Sequence, residues 1–220
     1  MKRRLLFLVV VFLSPGVAAT AHTRKQNRSA AVTIRRAVGY QQAILGSASR
    51  HGVDPRILWT IAYLETRFRP GLVSPKGARG MMQFIPATGR RYGLFTRNDF
   101  HDPSRSIEAA ARYVRELSSM FGGRLDLVLA GYNAGENAVI NWGYKVPPYR
   151  ETRNYVFRGL SLFKRIAQDR IFALDLPYQA RQPVLINPRD SSYNTIYSRS
   201  ASEPNSPRRE SQHSIYFSPR

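Results

Sequence analysis

The 220-residue sequence contains no cysteine. It therefore offers no disulfide framework, no thiolate nucleophile and no cysteine-based metal site. For the same reason we expect no lipoprotein anchor, which would need a cysteine behind the leader peptide. The folded part of the chain must depend on the packing of its core.

No apolar run at the start of the chain is long enough to cross a bilayer as a helix, because residues 5–13 are too few. The basic residues 2–4 precede this run, and the small residues Ala19-Thr20-Ala21 follow it. This order is typical of a secretory signal peptide, which we predict over residues 1–21. The mature protein is then expected in the periplasm or secreted. The alternative is an N-terminal membrane anchor that stays on the protein.

Acidic residues are scarce: 14 Asp and Glu stand against 34 Lys and Arg, which gives a formal net charge of +20. Such a charge suits either a solvated basic surface or retention on an anionic cell wall, and the sequence leaves both open. A nucleic-acid binder is a third reading. Export argues against it, so no nucleic-acid partner is expected.

Before residue 170 no segment keeps an alternating apolar pattern, so we predict an all-α domain over residues 30–170. Residues 174–220 are rich in Ser, Pro, Arg and Asn and are predicted to be a disordered tail. The predicted helices are residues 33–49, 54–66, a short piece within 81–92, 102–122, 125–133, 136–142 and 151–168.

Glu65 is the only acidic residue between Asp54 and Asp99. On the second predicted helix it extends an apolar stripe that contains Leu58 and Ala62. Burial there would raise the pKa of the carboxyl group, as a general acid near neutral pH requires. The alternatives are a solvent-exposed side chain or a structural ion pair.

If Glu65 belongs to a glycan-cleaving site, no second carboxyl group lies close to it in sequence, although ordinary glycosidases use two carboxyl groups. The second one could come from a distant part of the chain, or the substrate could supply its function. The acidic residues that could fold back toward Glu65 are Glu108, Glu116, Asp126, Glu136 and Glu151.

Three further motifs carry polar groups suited to a sugar. Residues 74–83 form a glycine-containing loop in which Ser74 and Gln83 can donate and accept hydrogen bonds. Residues 131–135, Gly-Tyr-Asn-Ala-Gly, end a predicted helix with an asparagine that tolerates left-handed backbone and a glycine. Residues 147–155 form a proline-rich turn that leads into the last helix, where Glu151 suits the helix N-terminus. Each motif alone is also compatible with an ordinary surface loop or helix cap.

Together with residues 62–66, these motifs resemble the catalytic domain of the soluble lytic transglycosylase family over about residues 40–168. The resemblance implies a goose-type-lysozyme-like helical domain with a central active-site cleft. It also implies non-hydrolytic cleavage of the MurNAc-GlcNAc β-1,4 bond of peptidoglycan, which leaves 1,6-anhydro-MurNAc ends. No metal or other cofactor is implied.

The same resemblance implies roles for six residues. Glu65 would act first as the general acid and then as the base. Ser74, Gln83, Tyr132 and Asn133 would line the cleft around the reacting sugar, and Tyr155 would close one side near Glu65. Two positions depart from the family pattern: Thr66 stands where Ser is usual after the catalytic Glu, and Ile85 stands where Met is frequent.

Two alternatives within the wall-acting class stay open. One is a goose-type-lysozyme-like muramidase, which uses water, and the other is a non-catalytic peptidoglycan-binding protein. The expected partners are peptidoglycan glycan strands and an envelope-spanning assembly such as a secretion or conjugation apparatus or a phage-like assembly. The protein is expected to be a monomer.

Overall fold

The computed structural model describes residues 32–33 and 35–168. The chain divides into two compact units, Met1–Arg35 and Arg36–Arg220. The described residues of the first unit, 32, 33 and 35, are helical. Everything below concerns the second unit. The predicted signal peptide and the predicted tail over residues 174–220 lie outside the described residues.

The second unit is built from α-helices, and the predicted all-α class is confirmed. In the part of the chain that is described no β-strand is formed. The helices are α1 (Gln41–His51), α2 (Pro55–Thr66), α3 (Pro86–Arg91), α4 (Arg97–His101), α5 (Pro103–Met120), α6 (Leu125–Ala134), α7 (Glu136–Asn141) and α8 (Arg150–Gln168).

The first predicted helix is interrupted. Residues 36–39 are helical, but Tyr40 has φ −107° and ψ 2°, and α1 begins only after it. The prediction of one continuous helix over residues 33–49 was therefore wrong at this position. The predicted stop is confirmed, because Gly52 adopts the left-handed conformation with φ 63°.

Helix α2 begins where the sequence indicates. The Asp54 carboxylate accepts a hydrogen bond of 2.8 Å from the Arg56 backbone N–H, and Pro55 occupies the first helical position. The helix ends because Arg67 and Phe68 take positive φ angles of 52° and 61°. Their N–H groups donate to the carbonyls of Tyr63 and Ala62, which closes the last turn.

Helix α2 is the central helix of the domain. Ten of its residues are buried, and it packs against α1, α5 and α8. The sequence predicted that only one apolar stripe of this helix is buried, but residues on nearly all sides of the helix are buried. Glu65, in the last turn of this helix, therefore lies in the interior.

Residues 72–84 form a compact loop after α2. Isolated bridges join Val73 to Arg79 and Arg79 to Phe84. The Thr66 hydroxyl donates a 2.8 Å hydrogen bond to the Met81 carbonyl and so ties the loop to α2. At Gly80, with φ 76°, a Cβ atom would lie 1.7 Å from the Phe100 carbonyl oxygen. Only glycine fits there.

Helix α4 was not predicted from the sequence. It begins with a capping box, in which the Thr96 side chain accepts from the Asp99 backbone N–H and the Asp99 carboxylate accepts from the Thr96 N–H. The Thr-x-x-Asp spacing was the available signal. Helix α3 lies within the predicted range 81–92 and begins at Pro86, while residues 81–84 belong to the loop.

Helices α6 and α8 approach each other closely. A Cβ atom on Gly159 would lie 2.8 Å from Cδ1 of Leu129 and 3.3 Å from Cδ1 of Leu64. Helix α6 continues through Asn133 to Ala134, and Gly135 takes the positive φ of 87°. The prediction that the asparagine itself could end the helix was wrong; the glycine alone does so.

Candidate active site

Glu65 is a buried acid at the C-terminal end of α2. Its side chain is only 9 % exposed. The Tyr155 hydroxyl on α8 donates a hydrogen bond of 2.8 Å to Glu65 Oε1. The structure thus brings together two residues that the sequence assigned to the same site from distant motifs.

Burial raises the pKa of Glu65 from an ordinary 4.5 to about 8, because the charged form loses its hydration. The hydrogen bond from Tyr155 opposes this shift by stabilising the carboxylate. The negative charge of Glu151 raises the pKa further, and the positive charge of Arg158 lowers it. Near neutral pH the group is therefore mostly protonated and can donate a proton.

Among the five acidic residues that could accompany Glu65, Glu151 is the one whose charge acts on it. Its Oε2 lies 3.9 Å from Lys76 Nζ, while its buried Oε1 has no hydrogen-bond partner among the described residues. The other four form ion pairs with arginines: Glu108 with Arg50, Glu116 and Glu136 with Arg91, and Asp126 with Arg124.

Ser74 and Gln83 are both buried in the loop after α2, and both hold its backbone in shape. Ser74 Oγ accepts a 3.0 Å hydrogen bond from the Ala78 N–H. Gln83 Nε2 donates to the Gly80 carbonyl at 2.8 Å and to the Leu72 carbonyl at 3.3 Å. The amide donor of Gln83 is thus used within the loop.

Tyr132 and Asn133 lie side by side on α6 but face different partners. The Tyr132 hydroxyl donates a 2.9 Å hydrogen bond to the Met82 carbonyl, and the charge of Glu65 helps to raise the pKa of this phenol after the larger effect of burial. Asn133 is 2 % exposed, and its Oδ1 accepts a 2.9 Å hydrogen bond from the Thr152 hydroxyl.

A cavity of about 350 Å³ opens beside Gln83 and Tyr132. This volume is within the range of small-ligand sites. Of the six predicted site residues, these two line it, whereas Glu65, Ser74, Asn133 and Tyr155 are not among its walls. Its remaining walls are Phe84, Ile85, Thr88, Arg91, Tyr113, Ala134, Gly135, Glu136, Asn137, Ala138, Asn141 and Tyr149.

Three cavity residues, Arg91, Tyr113 and Glu136, were not predicted as site residues from the sequence. Arg91 Nη1 donates to Glu136 Oε1 at 2.6 Å, and the Tyr113 hydroxyl donates to Glu136 Oε2 at 2.8 Å. Position gave one signal, since Glu136 directly follows the Gly-Tyr-Asn-Ala-Gly motif. Nothing in the sequence indicated that Arg91 and Tyr113 would meet it.

Over the described residues, no group of three or more His, Asp or Glu side chains is arranged to hold a metal ion. Within the same ranges no helix combines the length and the apolar character needed to cross a membrane.

Some known proteins are similar to this chain in sequence, and some solved structures are similar to it in fold. Membrane-bound lytic murein transglycosylase D of Escherichia coli is 30 % identical over 163 residues, which cover 66 % of this chain and 35 % of that protein. A transglycosylase of Enterobacteria phage PRD1 is 29 % identical over 113 residues, 51 % of this chain and 41 % of the phage protein. The chain thus spans about a third to two fifths of these relatives.

A crystal structure of the lytic transglycosylase Slt of Pseudomonas aeruginosa, an inactive Glu-to-Gln mutant, superimposes with a TM-score of 0.54. It is 27 % identical and covers 59 % of this chain and 24 % of that one. The predicted lysozyme-like helical fold agrees with this similarity. The family model of the transglycosylase SLT domain matches residues 42–154 of this chain. This range contains the six helices α2 to α7 completely and all but one of the six predicted site residues. The chain belongs to the transglycosylase SLT-domain family.

Proposed function

We propose that the protein is a peptidoglycan lytic transglycosylase with Glu65 as its single catalytic carboxyl group. The observation that carries the proposal is the burial of Glu65, which raises its pKa to about 8 and keeps it protonated near neutral pH. The family supports the reaction class, because relatives are named lytic murein transglycosylases. The inactive mutant of the Pseudomonas aeruginosa enzyme has a Glu replaced by Gln, which fits a reaction that needs a carboxyl group.

In the first step Glu65 protonates the glycosidic oxygen between N-acetylmuramic acid and N-acetylglucosamine. Because the Tyr155 hydroxyl donates to Oε1, the transferable proton belongs on Oε2. The C–O bond then breaks, and N-acetylglucosamine leaves with the proton. The substrate's own acetamido group stabilises the positive charge that develops at the anomeric carbon.

In the second step the Glu65 carboxylate acts as the base. It removes the proton from the muramyl 6-hydroxyl, whose oxygen attacks the anomeric carbon and closes the 1,6-anhydro ring. This returns Glu65 to its protonated form without consuming water. The hydrogen bond from Tyr155 stabilises the carboxylate between the two steps, when the buried charge is most costly.

The cavity beside Gln83 and Tyr132 is the part of the site that we assign to the glycan strand. Its aromatic walls, Tyr113, Tyr132 and Tyr149, offer apolar surfaces, and its amides and charged groups offer hydrogen bonds to sugar hydroxyls. Ser74 and Asn133, by contrast, are not among the walls of this cavity. We therefore assign direct substrate contact first to Gln83 and Tyr132.

Hydrolysis by a muramidase is the second candidate, and the charge of Glu151 near Glu65 is the observation in its favour. A second carboxylate could activate water for attack at the anomeric carbon. Its partner Lys76 and its place at the start of α8 are equally consistent with a structural role. The nature of the product distinguishes the two reactions.

The test is digestion of purified sacculi by the wild type, Glu65→Gln and Asp126→Asn, followed by mass spectrometry. Asp126 pairs with Arg124 and serves as the matched control for loss of an acid. We expect 1,6-anhydro products from the wild type and the control, and none from Glu65→Gln. Reducing ends alone would identify a muramidase. Wild-type release of anhydro products by Glu65→Gln would refute the assignment of the acid.

We also propose that the protein acts outside the cytoplasm, where its substrate lies. The basis is the predicted signal peptide over residues 1–21 together with the envelope enzymes among its relatives. Its role in wall turnover, or in an envelope-spanning or phage-like assembly, would then depend on where the protein is held.

A further inference from the structure

Helix α8 is fixed to α6 at two points, one on either side of Tyr155. Before it, the Thr152 hydroxyl donates to Asn133 Oδ1 at 2.9 Å, and the Thr152 side chain is completely buried. After it, the absence of a side chain on Gly159 lets α8 approach Leu129 to a distance that a Cβ atom would not permit. The first contact is polar and directional, while the second is close packing.

These contacts lie on matching helix faces. Leu129 and Asn133 are four residues apart on α6, so they share a face. Thr152, Tyr155 and Gly159 follow one another at spacings of three and four residues on α8 and share a face as well. The two contacts therefore define the position of α8 along its axis and its rotation about that axis at Tyr155.

We propose that Asn133 and Thr152 are positioning residues that hold the Tyr155 hydroxyl on Glu65 Oε1. The inference rests on the proposed role of Glu65 as the catalytic acid. It gives Asn133 a different task from the direct sugar contact that the family resemblance implies. Its amide oxygen acts through Thr152 and Tyr155, and it need not touch the substrate.

The two amide atoms of Asn133 are used unequally. Oδ1 accepts the Thr152 hydrogen bond, but the buried Nδ2 has no partner within the described residues. A buried donor without a partner is unfavourable. An apolar side chain would avoid that cost, but it would leave the Thr152 hydroxyl without its acceptor. The hydrogen bond that Oδ1 accepts is the feature that only a polar residue at this position provides.

The titration of Glu65 is influenced by Tyr155, Glu151 and Arg158 on α8. The charge of Glu65 in turn helps to raise the pKa of Tyr132 on α6, after the larger effect of burial. The hydrogen bond from Tyr155 favours the carboxylate, so its weakening raises the pKa of Glu65. Replacing Thr152 by valine keeps the size of the side chain and exchanges its hydroxyl for a methyl group. In the proposed arrangement this change acts on Glu65 through the position of Tyr155.

The experiment compares Thr152→Val with Thr152→Ser in the full chain. Titration of the Glu65 carboxyl carbon by NMR gives its pKa directly, and soluble glycan fragments give kcat and KM. For Thr152→Val we expect a higher pKa of Glu65, a kcat lowered about tenfold and a nearly unchanged KM. Thr152→Ser keeps the hydroxyl donor, so the pKa of Glu65 and kcat should both be close to those of the wild type. Thr152→Val combined with Tyr155→Phe should shift the pKa no further than Tyr155→Phe alone.

Two outcomes would overturn the proposal. A lower Tm with an unchanged pKa of Glu65 would make the Asn133–Thr152 bond merely structural. An increased KM without a pKa shift in Asn133→Ala would make Asn133 a substrate contact. Thr152→Ala replaces the valine variant if that variant does not fold. An inactive wild type would refute the proposed function. The NMR titration does not depend on turnover, so it would still show whether Thr152 influences the pKa of Glu65.

Discussion

The Tyr155 hydroxyl donates a 2.8 Å hydrogen bond to Oε1 of Glu65 across 90 positions of sequence. Because this bond favours the carboxylate, Tyr155→Phe should raise the pKa of Glu65 above its present value of about 8. The alkaline limb of the pH profile of kcat/KM should then move to higher pH, since the acid stays protonated longer. The maximal rate should fall, because the carboxylate formed during the reaction loses a donor.

Tyr144→Phe is the matched control for this experiment, because Tyr144 is an exposed tyrosine elsewhere in the domain. It should leave the profile unchanged. An alkaline limb that stays in place in Tyr155→Phe would mean that the hydrogen bond does not influence the titrating group.

Glu65→Gln should stabilise the fold at neutral and alkaline pH. The pKa of Glu65 is raised in the folded state, so folding favours its protonated form. The stability associated with this group is complete below about pH 4.5 and is lost as the pH rises toward 8. Glutamine has no charge to desolvate, and the gain in unfolding free energy should reach roughly 2–4 kcal/mol at pH 8. Urea unfolding at pH 4, 6 and 8 measures it; an advantage that does not grow with pH would contradict the raised pKa.

Glu108→Gln should show the opposite pH dependence. Burial alone would raise the pKa of Glu108, but hydrogen bonds from Arg50, His51 and Ser47 outweigh it and lower the pKa to about 2. The stability from this carboxylate is present above about pH 4.5 and is lost as the pH falls toward 2. We expect a loss of about 1–3 kcal/mol at pH 7 that disappears in acid. Urea unfolding at several pH values measures this loss of stability. An equal loss at pH 2 and pH 7 would contradict a role for the ionised Glu108 carboxylate in binding Arg50, His51 and Ser47.

Gly80→Ala should prevent stable folding of the loop that follows α2. The new Cβ would lie 1.7 Å from the Phe100 carbonyl oxygen, so the backbone itself must move, at an expected cost above about 3 kcal/mol. Gly77→Ala is the control, since Gly77 also has a positive φ, 81°, but no atom within 4 Å of the added Cβ. It should cost only about 1–2 kcal/mol of backbone strain. Thermal unfolding of both variants tests the difference, and similar Tm values would contradict the close contact with Phe100.

Deletion of residues 174–220 should leave glycan cleavage by the purified protein intact and change its location in the cell. The reason is that the residues of the proposed site and the SLT-domain match all end before this segment. Sacculus digestion and fluorescence microscopy of the truncated protein measure the two effects. Loss of cleavage in the purified truncation would show that the segment contributes to the domain.

The start of α2 and the start of α5 could be predicted from the sequence because their signals are local. Asp54-Pro55 and Asp102-Pro103 each combine a capping carboxylate with proline at the first helical position. The break at Tyr40 had a local signal that was not used, because Gly39 directly precedes it and glycine is unfavourable inside a helix. The complete burial of α2 depends on which helices cover it, and that is decided by contacts between distant parts of the chain.

In the candidate site, too, local features could be predicted from the sequence, whereas contacts between distant residues could not. A solitary glutamate on an apolar helix could be recognised, and its pairing with Tyr155 was expected only from the family resemblance. The hydrogen bonds that occupy Ser74, Gln83 and Asn133 within the protein could not be foreseen. Residue type tells which bonds a side chain can form, whereas tertiary packing decides which bonds it does form.

The left-handed backbone of Arg67 and Phe68 ends α2 at Thr66, one residue after Glu65. The last turn of a helix carries partial negative charge from its carbonyl groups, and this charge repels a carboxylate. Had α2 continued by another turn, the acid would stand in the middle of the helix and feel less of this field. The point at which the helix stops therefore favours the protonated form of the residue it carries.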